Sequence, residues 1–285
     1  MAAQSATTLT SVTPVGTHAA CSDRSAAPSG ARSLLFGPGQ SLVFAGASIT
    51  EAGCRSKQWA PYGSGYVHLV RTLLVARYPV LHLRVVNAGE SGNTVHALEK
   101  RWRRDVLDER PDWISVQIGG NDGRQHVDRR LGDARPVEQY EQTYQHLLSE
   151  ARDRTGAGLI LIEPHFVAPP AGADPFAGAV DPHCGWTLAH VRQTYPALRR
   201  RRVDSGPEHD ACQWHFRAVM DQYVAAVRRL AAEFGAVLVQ AQEAFDEAMR
   251  GEPPAFWSHD GVHPTTPGHA VLARAFLRAT GYGDV

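Results

Sequence analysis

The sequence predicts an α/β fold, namely a three-layer α/β/α sandwich around a mainly parallel five-stranded sheet. From residue 33 onward, short runs of apolar and β-branched residues alternate with longer amphipathic stretches. This alternation is expected when crossover helices join parallel strands. The short runs are also apolar at nearly every position, which a strand needs when helices cover both faces of its sheet.

Five strands and about five helices follow from these patterns. The strand candidates are 41–44, 83–86, 113–118, 159–162 and 237–239. Helical spacing of apolar side chains predicts helices over 66–78, 137–154 and 216–234. Thr266 as N-cap, followed by Pro267, predicts a final helix that runs to about residue 280.

Length and composition exclude several classes of protein. With 285 residues, of which 43% are hydrophobic, the chain can bury a large core, and one large domain is the simplest prediction. Lys and Arg number 29, as do Asp and Glu, so there is no net charge to attract nucleic acid or an anionic membrane surface. No apolar run approaches the roughly 18–20 residues of a membrane span. We therefore expect neither nucleic-acid nor membrane partners.

Residues 1–32 are predicted to form a disordered tail, and 33–285 a single domain. The tail is rich in Ala, Ser and Thr, but it lacks the basic start and continuous apolar run of a secretory signal. The 4 cysteines are too few and too scattered for a disulfide scaffold. A reducing compartment, the cytoplasm, is therefore the expected location.

A segment over about 167–213 interrupts the alternation, and we interpret it as an inserted loop or lid. It is rich in proline and has no sustained periodicity, and loops of this length inside a domain are uncommon unless they are functional or disordered. Its candidate zinc ligands are His183, Cys184, His209, Cys212 and His215. They match no recognised paired spacing, so no metal is expected. A disulfide between Cys184 and Cys212 is an alternative.

Ligands of parallel α/β sheets bind beyond the carboxyl ends of the strands. After the first strand candidate, the small residues Gly46 and Ala47 allow a sharp turn that exposes the Ser48 hydroxyl. Glycine-rich turns after the second and third contain Gly92 and Asn121. Backbone N–H groups and an amide directed at one point would stabilise an oxyanion. Alternatively, Ser48 caps a helix and the two turns only need left-handed residues.

Near the C-terminus, Asp260 stands three residues before His263, and Pro264 stiffens the backbone between them and the final helix. A carboxylate at this spacing can accept the imidazole Nδ1–H and direct Nε2 at a serine hydroxyl. A surface ion pair is the alternative. Because the four signals follow different strands at one predicted edge, together they favour nucleophilic chemistry.

With these residues in this order, the sequence resembles the SGNH, or GDSL, family of serine hydrolases. Further segments resemble the branch that contains carbohydrate acetylesterases such as acetylxylan esterases. They are Gly65-Tyr66-Val67, Arg84-Val85-Val86-Asn87, Ser91-Gly92-Asn93-Thr94-Val95, Arg101-Trp102, Pro111-Asp112-Trp113 and Gly268-His269. The resemblance covers about residues 34–282 apart from the insertion, and it implies the SGNH form of the flavodoxin-like fold.

The resemblance also implies a role for each candidate site residue. Ser48 would be the nucleophile, His263 the general base and then the acid, and Asp260 the carboxylate that orients the imidazole. The oxyanion hole would consist of the Ser48 and Gly92 backbone N–H groups and the Asn121 side chain. No cofactor and no metal are implied.

Two features depart from the family pattern. Ala47 stands where the family commonly has Asp directly before the serine, which removes an acceptor that could brace the oxyanion loops. The insertion over 167–213 has no counterpart in short relatives, and we expect it to reshape the substrate entrance. The family resemblance therefore predicts the catalytic chemistry of this sequence more closely than its substrate.

We expect a serine esterase that removes a small acyl group, first of all acetyl, from a carbohydrate or glycosylated metabolite through an acyl-enzyme. Candidate aromatic residues for stacking on a sugar ring are Tyr62, Tyr66, Trp102 and Trp186. The alternatives are an acyltransferase or a tailoring esterase of a small metabolite, and a catalytically silent binding protein, which Ala47 favours. The expected partner is a small-molecule or oligosaccharide ester, and a homo-oligomer stays open.

Overall fold

A parallel sheet of five strands forms the centre of the described structure. This computed structural model describes residues 34–127, 136–168, 207–258 and 260–283, with the backbone alone over 207–214. The strands are β1 Ser41–Gly46, β2 Arg84–Gly89, β3 Trp113–Gln117, β4 Gly158–Ile162 and β5 Val237–Val239. All neighbours pair in parallel, in the order β2-β1-β3-β4-β5. The predicted five-stranded parallel sheet is confirmed.

Helices connect the strands and follow the last one. Within the described residues they are α1 Ser48–Glu51, α2 Tyr66–Arg77, α3 Val95–Glu99, α4 Trp102–Asp105, α5 Gly120–Val127, α6 Pro136–Thr155, α7 Pro207–Phe234, α8 Ala241–Ala248, α9 Pro254–Trp257 and α10 Thr266–Ala279. Short 3₁₀ turns precede β2 and β3, at Pro79–Leu81 and Leu107–Glu109.

Apolar side chains leave both faces of the sheet and pack under two layers of helices. Val43 and Ala45 of β1 belong to one buried cluster, which also contains Tyr144 of α6. Leu42 and Phe44 alternate with them and belong to a second buried cluster on the opposite face, with Phe276 of α10. Because successive side chains of a strand point to opposite faces, these two clusters produce the predicted three layers. Truncating a core aromatic such as Phe44 to Ala typically costs about 3–5 kcal/mol of stability.

The strand order determines where the chain can build a site. β1 lies between β2 and β3, so the connections that leave β1 and β3 run in opposite directions across the sheet. The carboxyl ends of these two strands border the crevice in which ligands of doubly wound sheets bind. Ser48 follows β1 by two residues, and Asn121 belongs to the first turn of α5 after β3.

Two predicted helix boundaries are wrong. The helix predicted to begin at residue 216 begins at Pro207, inside the predicted insertion, because proline is well suited to a first helical turn, where no N–H donor is needed. The cap of α10 is Thr265 rather than Thr266: the Thr265 side chain accepts the Gly268 N–H at 3.3 Å, and Pro267 occupies the first turn. The predicted tail 1–32 and most of the predicted insertion lie outside the described residues. Among the helices that are described, none is both long enough and apolar enough to cross a bilayer.

Candidate active site

Ser48 occupies the first position of α1, immediately beyond the carboxyl end of β1. The chain turns sharply at Gly46, where an added Cβ would lie 2.5 Å from the Gln117 carbonyl oxygen. Ala47 is the N-cap residue, and no side chain caps this helix, so the alternative that Ser48 is a capping residue is wrong. Because the first N–H groups of a helix have no partner within it, the Ser48 N–H is available to a ligand.

The Ser48 hydroxyl is paired with the imidazole of His263. The distance from Ser48 Oγ to His263 Nε2 is 2.9 Å, although 215 positions separate the two residues in the chain. On the other side of the ring, His263 Nδ1 lies 2.8 Å from Asp260 Oδ2. Since an ionised carboxylate only accepts, Nδ1 carries the proton and Nε2 is free to take one from the hydroxyl. Three sequence-predicted residues therefore form one hydrogen-bonded chain.

Hydrogen bonds from the main chain hold the Asp260 carboxylate in place next to the His263 imidazole. Asp260 Oδ1 accepts the backbone N–H groups of His263 at 2.7 Å and Val262 at 3.0 Å. Ser258 pairs with Pro264 in an antiparallel bridge, and its hydroxyl donates to the His263 carbonyl oxygen at 2.8 Å. The loop between α9 and α10 is thus closed on itself, which holds the imidazole in one orientation.

The charges of this pair are set by their mutual contact. Burial opposes ionisation of Asp260, but the hydrogen bonds from the His263 ring and from the two backbone N–H groups hold its pKa well below the usual range. The hydrogen bond to Asp260 raises the pKa of His263 above its ordinary 6.5, against a smaller opposing effect of burial. The carboxylate therefore stays ionised at every pH at which the imidazole titrates.

The two glycine-rich turns contact each other at the edge of the sheet that carries Ser48. Gly92 has φ of +80°, a left-handed conformation that glycine adopts without strain. The Asn121 amide donates one hydrogen to the Asn93 carbonyl oxygen at 2.9 Å, which leaves its second N–H unused by that contact. Asp122 reinforces the junction by accepting the Val95 N–H at 3.0 Å. Burial raises the pKa of Asp122 to about 7, and this N–H opposes the shift.

Arg101 connects the end of β1 to the end of β2 and to the turn after β2, and no pattern in the sequence indicated this role. Its buried guanidinium donates to the carbonyl oxygens of Gly46 at 2.9 Å and Ala88 at 2.7 Å. Its Nε donates to Asn93 Oδ1 at 2.6 Å, and Asp105 provides the nearest counter-charge at 3.1 Å. Ala47 itself packs in the first apolar cluster. Arg101 therefore braces the loops on both sides of the proposed oxyanion hole, while Ala47 leaves the position before the serine apolar.

Two of the four aromatic residues predicted to stack on a sugar are misassigned. Tyr66 is fully buried, and Trp102 is 1% exposed, so neither ring offers a face to a ligand. Both belong to the cores between helices and sheet. Tyr62 is half-buried, and the Arg71 guanidinium lies 4.3 Å from its ring centroid. Trp186 lies outside the described residues.

Most of the candidate metal ligands are not placed. His183, Cys184, His209 and Cys212 lie outside the residues whose side chains are described, and His215 is buried in α7. In the part of the chain that the structure describes, no group of three or more His, Cys, Asp or Glu side chains is arranged for a metal ion. The zinc and disulfide alternatives for the insertion stay untested.

The sequence and the fold both match known esterases. A sequence profile of the GDSL-like lipase/acylhydrolase family matches residues 44–271. The chain belongs to this family. An acetylxylan esterase of Geobacillus stearothermophilus is 34% identical over 255 residues, which cover 87% of this chain and 97% of that protein. As a member of the GDSL-like lipase/acylhydrolase family, the chain is a carboxylic ester hydrolase, which confirms the predicted resemblance and enzyme class.

Solved structures show the same relationship. LAE5, an α/β hydrolase from the metagenome of Lake Arreo in Spain, has a TM-score of 0.67 and 34% identity, and the match covers 88% of this chain and all of LAE5. Axe2, an acetylxylan esterase from Geobacillus stearothermophilus, has a TM-score of 0.67 and 32% identity, covering 88% of this chain and 99% of Axe2. Other Axe2 structures are of catalytic mutants in which alanine replaces a serine, an aspartate or a histidine.

Proposed function

We propose that this chain is a serine esterase that removes an acetyl group from a carbohydrate or a glycosylated metabolite. The observation that carries the proposal is the hydrogen-bonded chain from Ser48 Oγ through the His263 ring to Asp260. A hydroxyl, an imidazole and an ionised carboxylate in this order are the elements of nucleophilic acyl transfer. The same hydrogen-bonded arrangement argues against a catalytically silent binding protein.

In the first half of the proposed reaction, Ser48 Oγ bonds to the ester carbonyl carbon while its proton moves to His263 Nε2. The imidazolium that forms is stabilised by Asp260 at 2.8 Å. The carbon–oxygen bond to the sugar then breaks, and the imidazolium returns the proton to the departing sugar oxygen. The product is an acetyl group on Ser48.

In the second half, a water molecule attacks the acetyl-enzyme, with His263 Nε2 as the base. The new tetrahedral intermediate collapses to acetate and regenerates the Ser48 hydroxyl. In both halves the carbonyl oxygen becomes negatively charged, and we assign its stabilisation to the Ser48 N–H, the Gly92 N–H and the second Asn121 amide hydrogen. Preorganised donors of this kind contribute most of the electrostatic stabilisation of such intermediates. The proposed reaction needs no metal and no cofactor.

The acetyl group and the sugar are inferred from relatives of the chain. The matched proteins include an acetylxylan esterase that aligns over 97% of its own length. An acetylated xylooligosaccharide is therefore the substrate with which to begin. Acetyl transfer to a second alcohol would use the same acetyl-enzyme, so the assay includes a sugar acceptor as well as water.

The test combines covalent labelling with product analysis. We expect a fluorophosphonate to add its mass to Ser48, and we expect acetate from acetylated xylotriose at a rate that depends on Ser48 and His263. The Ser48→Ala protein is the matched control for both measurements. Absence of the adduct, under conditions that label a serine esterase of known activity, would refute the serine mechanism. If the product is an acetylated sugar acceptor and not acetate, the protein is an acyltransferase and not a hydrolase.

A further inference from the structure

A cavity of about 830 Å³ lies next to the proposed catalytic histidine. Pro264, which directly follows His263, is one of the residues that line it. The exposed rings of Trp59 and Phe256 contribute aromatic surface, and Ser64 and Thr265 contribute hydroxyl groups. Its volume falls within the range of about 300–1,000 Å³ that is usual for small-molecule sites.

The cavity opens at the same edge of the sheet as the serine. In a parallel sheet, a crossover helix starts near the carboxyl end of the preceding strand and runs back towards the start of the next. The first residue of α2 therefore lies at the edge that carries Ser48. The Tyr66 N–H at this helix start donates to His269 Nδ1 of α10 at 3.2 Å, which joins the two helix starts beneath the cavity.

The lining is aromatic and polar and contains two histidines, His68 and His269. Among the described residues that line the cavity, none is Asp, Glu, Lys or Arg. Burial lowers the pKa of the lining residue His269 to about 4, so its imidazole is neutral at physiological pH. Because His269 Nδ1 accepts the Tyr66 N–H, the ring proton resides on Nε2. An anionic ligand would find no Lys or Arg side chain in the described lining.

The two hydroxyl groups of the lining donate their hydrogens to the main chain, so towards a ligand they act as hydrogen-bond acceptors. Thr265 Oγ1 donates to the Phe256 carbonyl oxygen at 2.7 Å, and Ser64 Oγ donates to the Ala52 carbonyl oxygen at 3.1 Å. A hydroxyl oxygen has two lone pairs, so Thr265 Oγ1, which also accepts the Gly268 N–H, keeps one for a ligand hydroxyl, and Ser64 Oγ can accept from a ligand as well. Trp59 is 43% and Phe256 45% exposed, although large aromatic side chains usually bury most of their surface. The Phe256 ring rests edge-to-face on Trp257, with centroids 4.8 Å apart, so it is held in place.

We propose that this cavity binds a neutral sugar ring of the substrate, adjacent to the ring that carries the acetyl ester. This inference rests on the proposed function and names its binding site for the glycan. The C–H faces of a pyranose ring suit the two aromatic side chains, and its hydroxyl groups suit the threonine, serine and histidine. A lining without Lys, Arg, Asp or Glu favours a neutral oligosaccharide over a phosphorylated or carboxylated ester.

The first test compares two acetyl esters, acetylated xylotriose and 4-nitrophenyl acetate, which lacks a sugar. For Trp59→Ala and Phe256→Ala, we expect the ratio of kcat/KM for the glycan ester to that for the aryl ester to fall by roughly two- to tenfold each. The loss is expected mainly as a higher KM, because binding that is equal in ground and transition states does not change kcat.

Two kinds of variant control for altered folding. Trp59→Phe and Phe256→Tyr keep an aromatic face and should restore most of the ratio. Val80→Ala removes an exposed apolar side chain, 70% accessible, in the turn before the amino end of β2, and should leave the ratio unchanged. A ratio that stays at the wild-type value in both alanine variants would overturn the proposal.

Binding without chemistry separates this inference from the proposed function. Unacetylated xylotriose is titrated calorimetrically into Ser48→Ala and into Ser48→Ala that also carries Trp59→Ala and Phe256→Ala. Binding that the two aromatic substitutions weaken supports the sugar site, even if the wild-type protein releases no acetate and the proposed function fails. Binding that is absent, or equal in both proteins, overturns the sugar site, even if acetate is released.

Discussion

Arg101 offers the most direct test of how the oxyanion loops are held in place. The change is Arg101→Leu, which keeps an apolar stem of similar length in a site where the arginine side chain is 6% exposed. It removes three hydrogen bonds to the oxyanion loops, at the carbonyl oxygens of Gly46 and Ala88 and the Asn93 side chain, and a fourth to Asp105. Gly46 is the last residue of β1, which leads to Ser48, and Ala88 is the next-to-last residue of β2, which leads to Gly92.

The size of the effect follows from these contacts. Hydrogen bonds to a charged donor contribute about 1.5–3 kcal/mol each, so the three together are worth roughly 5–9 kcal/mol. Removing the guanidinium also removes the cost of burying it, which is several kcal/mol. We therefore expect the free energy of unfolding to fall by roughly 2–5 kcal/mol. The oxyanion donors should also lose their alignment, and a misplacement of about 1 Å costs roughly 10²-fold in kcat.

The assay is urea denaturation together with kcat on 4-nitrophenyl acetate. Arg101→Lys keeps the positive charge but not the planar fork, so it should recover part of the stability and little of the kcat. Arg104→Leu is the matched control: it removes another arginine that contacts Asp105, but one with a side chain that is 75% exposed. Exposed pairs contribute at most about 1 kcal/mol. An Arg101→Leu protein with wild-type kcat would refute the positioning role, whatever its stability.

Three further predictions concern the proposed chemistry. Ser48→Ala should lower kcat by several orders of magnitude, because it removes the nucleophile. The thermal unfolding midpoint should not change, because the site is not part of the core. A kcat close to that of the wild-type protein would assign the nucleophile to another residue. Asn121→Ala should lower kcat by roughly 10²–10³ as an oxyanion donor is lost, with KM little altered, and a change confined to KM would contradict this role. The kcat/KM should fall as pH falls through the raised pKa of His263, that is, from above 6.5 downward, because the protonated imidazole cannot act as a base; a rate that is flat from pH 5 to 8 would contradict the assignment.

The sheet and the central site residues could be predicted because their signals are local. Each strand is a short apolar run, and Ser48, Gly92 and Asn121 each follow such a run within a few residues. Once parallel strands are inferred, the topology brings these turns to one edge. Asp260 and His263 are three positions apart, so their contact also depends on local geometry.

What the sequence did not reveal depends on contacts between distant segments. Arg101 reaches carbonyl oxygens that belong to two strands, and nothing near it in the chain indicates those partners. The burial of Tyr66 could have been foreseen, because it shares one helical face with Val67 and Val70, both of which are buried. Trp59 and Phe256 are about 200 residues apart and share a cavity only because α2 and α10 begin side by side.

Of the imidazoles of His165, His263 and His269, only that of His263 ionises near neutral pH. Burial, reinforced by the neighbouring imidazoles, lowers the pKa of His165 to about 3 and that of His269 to about 4. The hydrogen bond to Asp260 shifts His263 in the opposite direction, above 6.5. Between pH 5 and 8 only one of these three rings therefore gains a proton as pH falls, and it is the one in contact with the serine. These three rings should accordingly contribute a slope of one to the acid limb of log kcat/KM. A slope near two would mean that a second group takes up a proton in the same range, either Asp122, whose pKa burial raises to about 7, or one of the two buried histidines.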